Sequence, residues 1–124
     1  MAADRSARGL AATAEKVVEA AIGELPEEIR SLAEAIPVLL FEEVPRHLIE
    51  DGWEPDLLGF FEGGDLGAED EPGQARILLF LGNLMDFAEN DPETFREELR
   101  ITFLHELGHL LGLDEEDLDV RGLG

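Results

Sequence analysis

The chain contains no cysteine, which excludes disulfides, thiolate metal ligands and cysteine nucleophiles, so any metal must be held by nitrogen and oxygen. Basic residues are scarce. Only 9 Lys and Arg stand against 30 Asp and Glu, for a formal net charge of −21. A surface so acidic repels phosphate backbones and anionic headgroups, so nucleic acid and membrane are not expected partners, whereas divalent cations and basic peptides are attracted. Long apolar runs are missing too: the longest, residues 37–41 and 77–81, fall far short of the roughly 18 residues a spanning helix requires. Asp4, Arg5 and Arg8 precede a stretch broken by Glu15, Lys16 and Glu19, so no signal peptide is read there and a cytoplasmic location is the expectation.

What is present suffices for a core. Of the 124 residues 44% are hydrophobic, and residues 1–124 are expected to form one domain. Leu10, Ala14, Val17, Val18, Ala21 and Leu25 recur at helical spacing, predicting an amphipathic first helix ended by Gly23 and Pro26. Pro26 suits the first position of a short second helix with Glu27 and Glu28 in its first turn and Ile29, Leu32 and Ala33 on one face. Residues 36–44 bring a dense apolar run bounded by Pro37 and Pro45 and predict a buried strand. Residues 46–51 suit a helical turn closed by Gly52, and Leu57-Leu58-Gly59-Phe60-Phe61 predicts a second strand.

Residues 62–73 hold Gly63, Gly64, Gly67 and Pro72 among acidic side chains, which predicts a surface loop; its acidic spacing does not match an EF-hand. Residues 77–81 predict the third strand. Asp91 and Pro92 suit the cap and first residue of a final helix running to about Leu111, with Gly112 placed for a left-handed exit. The expected class is α+β, with a small mixed sheet of about three strands packed with helices.

The chemistry is concentrated near the end of that last helix, in His105-Glu106-Leu107-Gly108-His109. Residues four apart lie one turn above the other, so His105 and His109 can aim their imidazoles at one ion. Glu106 is turned about 100° from His105 and stands beside the metal position, where a base acting on water is needed. Two imidazoles suit zinc, Zn2+, which in a catalytic site takes three protein ligands and one open position. A chain reversal at Gly112 would bring back a residue about ten positions after His105, which is Glu115; Asp114 is the alternative third ligand, and Glu116 flanks them. His47, after Pro45 in a turn, reads as a surface histidine.

The run from His105 through His109 and Gly112 to Glu115 resembles the extended zincin signature, in which a third histidine stands at the position of Glu115. It is more similar still to a family of minimal bacterial zincin-like metallopeptidases that carry an acidic residue there. The likeness extends over Leu25-Pro26-Glu27-Glu28, Phe41-Glu42-Glu43, Leu57-Leu58-Gly59-Phe60-Phe61-Glu62-Gly63 and residues 72–80. It implies a small α+β zincin-like fold with His105 and His109 as zinc ligands, Glu106 as base and an acidic third ligand.

The expected function is a zinc-dependent peptidase-like hydrolase acting on a peptide or protein, with Glu106 as general base. Larger zincins place further elements after the motif, whereas 12 residues follow Gly112 here. The alternative is therefore a noncatalytic metal-binding or adaptor module on the same scaffold. If a peptide is bound, the strand over residues 75–81 is the candidate platform, the alternative being a plain core strand, with residues 62–73 as a flap or an ordinary surface loop.

Overall fold

The computed structural model describes residues 7–62 and 75–112; of the loop or flap expected over residues 62–73, Glu62 belongs to a strand and the rest lies outside the described residues. Leu10, Ala14, Val18 and Ala21 are buried along one face of α1 (Ala7–Gly23). Pro26 then caps α2 (Glu27–Glu34) instead of entering it. Ile29 and Ala33 are buried there, but Leu32, expected beside them, is 47% exposed. Ile29 and Ala33 set the buried stripe, and Leu32, about 100° from Ala33, falls at its rim.

The predicted strand over 36–44 is shorter, β1 (Val38–Phe41). Its flanks Ile36 and Val44 are buried without joining the ladder. Pro45 caps the five-residue α3 (Arg46–Glu50), and Gly52 turns the chain at φ 100°. β2 (Gly59–Glu62) and β3 (Arg76–Phe80) complete a sheet in the order β1-β3-β2. β1 pairs parallel with β3, and β2 pairs antiparallel with it.

The central position of β3 decides between two readings of residues 75–81, a peptide platform or a plain core strand: both edges of β3 are already paired, so it is the core strand. Its sequence signals this, because a strand covered on both faces reads as a continuous apolar run, and residues 77–80 are all buried. Ile77 and Leu79 join the core shared with the long helices. Leu78 and Phe80 face a smaller cluster with Val44 and Leu48.

Leu81 does not extend β3. It starts α4 (Leu81–Phe87), an element the sequence reading lacks because Gly82 and Asn83 look like breakers. Gly82 is there for space: a Cβ would sit 2.7 Å from the Glu42 carbonyl oxygen, which accepts the Gly82 N–H at 2.9 Å. Glu89 and Asn90, at φ 55° and 64°, turn the chain into α5 (Pro92–Leu110). Among the described residues no helix is long and apolar enough to cross a membrane.

α5 begins as its sequence predicts. The Asp91 carboxylate accepts from the Thr94 N–H at 2.9 Å and from its hydroxyl at 2.6 Å. These bonds, with Arg96 nearby, hold the Asp91 carboxyl below the ordinary aspartate range. A carboxylate whose pKa is depressed by folding stabilises above its unfolded pKa of about 3.9 and loses that contribution as pH falls through the folded value. Asp91→Ala is thus expected to lower Tm at pH 7 by a margin that narrows as the pH drops below 3.9. Asp91→Asn, which keeps an acceptor oxygen, should lose less; equal margins at pH 7 and in acid would count against the cap.

Candidate metal centre

The face of α5 that carries the motif is set by the face that is buried. Phe95, Leu99, Phe103, Leu107 and Leu110 are each at most 1% exposed and anchor the helix in the core. His105 and His109 stand two residues beyond Phe103 and Leu107, about 200° round the helix, and only partly buried. Their ring centroids are 4.4 Å apart, nearly perpendicular, and the two Nε2 atoms approach to 2.9 Å.

That contact serves as an N–H···N hydrogen bond between neutral rings, or as a pair of converging lone pairs once neither nitrogen carries a proton. Zinc bonds of about 2.0–2.1 Å at a tetrahedral angle would place the two nitrogens roughly 3.3 Å apart. A small opening of the rings reaches that separation, so the pair fits zinc. Among the described residues no set of three His, Cys, Asp or Glu side chains is placed to hold one ion. Glu115 and Asp114, the expected third ligands, lie outside the described residues, as does Glu116.

His105, Glu106 and His109 share a cleft of about 490 Å³ with Trp53, Leu57 and the β2 residues 59–61. Burial pushes the Glu106 carboxyl above its ordinary range, and the His109 charge draws it partly back. His47 is apart from this cleft, exposed on α3.

Several contributors are absent from the motif. The Phe61 and His109 rings lie nearly parallel, at an interplanar angle of 21°, with centroids 6.2 Å apart. Trp53 packs on Phe60 at 4.1 Å. Asn83 of α4 donates from Nδ2 to the carbonyls of Pro55 at 2.9 Å and Leu57 at 2.8 Å, fixing the approach to β2. Gly59 lets β2 press against α5, since a Cβ there would lie 2.6 Å from Thr102 Cγ2 and 3.4 Å from Glu106 Cγ.

An isolated glycine in a strand pattern signals such a close approach, but only the fold shows what approaches. Gly59→Ala is expected to cost about 1–3 kcal/mol through overpacking, read from urea denaturation. Adding Thr102→Ser, which deletes the crowded methyl, should recover most of it. Additive losses in the double variant would rule out this contact as the cause.

A family model described as zincin-like metallopeptidase matches residues 33–123, from the end of α2 through the motif. No curated protein was found to match the chain.

Proposed function

Because the chain belongs to the zincin-like metallopeptidase family, we propose that it is a zinc-dependent hydrolase of peptide bonds in a peptide or protein substrate. His105 and His109 are the ligands and Glu106 the general base. The reading is carried by the two imidazole Nε2 atoms, 2.9 Å apart, in a cleft that Glu106 also lines. Glu115, with Asp114 as the alternative, completes a nitrogen and oxygen donor set that suits zinc better than calcium or magnesium.

Zinc held by these residues supplies Lewis acidity, polarising the substrate carbonyl and acidifying a water. Glu106 accepts the proton of the attacking water as the new carbon–oxygen bond forms. It returns that proton to the leaving amine as the carbon–nitrogen bond breaks. Burial, which disfavours the ionised carboxylate, makes Glu106 the stronger base for the first transfer. Phe61 flanks His109, while Trp53, Leu57 and Phe60 present apolar surface to a substrate side chain. The platform role considered for residues 75–81 passes to β2, which among the described residues is the edge strand bordering the cleft, where an extended substrate can add main-chain hydrogen bonds.

The test is metal analysis of protein purified without chelators, followed by mass-spectrometric detection of cleavage in a broad peptide library. About one zinc per chain and metal-dependent cleavage are expected. His105→Ala and His109→Ala should each weaken zinc binding by more than the roughly 10–100-fold typical of outer-shell partners. Stoichiometric zinc without cleavage removes the hydrolase reading and leaves the noncatalytic metal-binding module.

A further inference from the structure

A second groove lies at the other edge of the sheet, beside β1, with β3 between it and the strand that borders the metal cleft. It has a volume of about 610 Å³ and an apolar floor of Val18 and Ile22 from α1 and Val38 and Leu40 from β1. Three exposed glutamates, Glu15, Glu19 and Glu34, also line it. The family match begins at residue 33, so the α1 wall of this groove lies outside the matched span.

The main chain of β1 is oriented toward the same space. The Pro37 carbonyl accepts from the Ile77 N–H at 3.0 Å, and β1 runs parallel to β3. Strand alternation then turns the N–H and C=O of Leu39 and Phe41 toward β3, and those of Val38 and Leu40 outward. Among the described residues no strand pairs with that edge. One edge therefore combines outward main-chain groups, apolar surface and concentrated negative charge.

We propose that this edge of β1 is a docking site for an extended basic segment of a partner protein, added to the sheet as a fourth strand. Lys or Arg at alternate positions would lay their aliphatic stems on Val18, Ile22, Val38 and Leu40 and carry their charged ends to the glutamates. Glu15 and Glu19, four apart on one helix, repel one another, and a cation between them relieves that repulsion. Two other occupants are disfavoured. The glutamates are not placed to hold a metal ion as a set of three, and a second copy would bring a further charge of −21 to a surface already acidic.

The probe is an acetylated, amidated octapeptide of alternating Lys and Val, titrated into the 15N-labelled full chain at low salt. Shifts are expected at Val38, Leu40 and Ile22, with affinity falling as salt rises. Replacing all three glutamates by glutamine (E15Q/E19Q/E34Q) should weaken binding about tenfold, the sum of three exposed ion pairs. The substituted side chains are exposed, so the fold should persist. N-methylation of alternate peptide amides should abolish binding, and a Glu and Val peptide should not bind. Perturbation confined to β2 and the histidines, undiminished binding by the triple variant or by the N-methylated peptide, or no shifts at low salt would each overturn the proposal.

Discussion

Glu106→Gln is expected to lower kcat by about 10²–10⁴-fold, the range that general base catalysis supplies, while zinc content and KM change little. The substitution keeps the size and the acceptor oxygen of the side chain and removes only its capacity to take a proton. Because burial disfavours the ionised carboxylate, the neutral amide should leave the metal-free chain no less stable at neutral pH. The loss should therefore fall on the chemical step. Single-turnover cleavage and zinc content measured on one preparation separate the outcomes: wild-type kcat would remove the base role, and zinc lost in parallel with activity would assign Glu106 a structural role instead.

Phe103→Ala should be the most destabilising of the substitutions considered, by about 3–5 kcal/mol. Phe103 is 1% exposed in the core that joins α5 to α1, α4 and the sheet. Deleting its ring removes buried apolar surface and leaves a cavity that the surrounding helices cannot wholly close. Against a total of about 5–15 kcal/mol for a natural domain, this is a large share. Phe87, 59% exposed on α4, is the matched control, and Phe87→Ala should stay within about 0.5 kcal/mol. Equal losses at the two positions, measured by urea denaturation, would contradict the burial described here. Phe103→Ala should also weaken zinc binding, since α5 carries both the core stripe and the histidine pair.

Much of this was readable along the chain because the determining interactions are local. Asp91 and Pro92 mark the start of α5 because capping involves groups three residues apart. The His105 and His109 spacing places two rings on one face because the helix pitch does. Gly112 takes the left-handed conformation its position suggests, at φ 77°. α4 escaped notice because its Gly82 serves a contact with Glu42, 40 residues earlier in the chain, which local pattern does not encode.

The sequence alone determined the class of the fold, the boundaries of α5 and the pairing of two imidazoles with a glutamate between them. The class follows from helical and strand patterns along the chain, and the other two from caps and spacing within one helix. Tertiary structure decided which strand is central, and so made β2, among the described residues, the edge strand beside the cleft. It also placed Phe61 beside His109 and Gly59 against Thr102 and Glu106. These contacts join residues more than 40 apart, and they exist only because burying both faces of β3 brings β2 alongside α5.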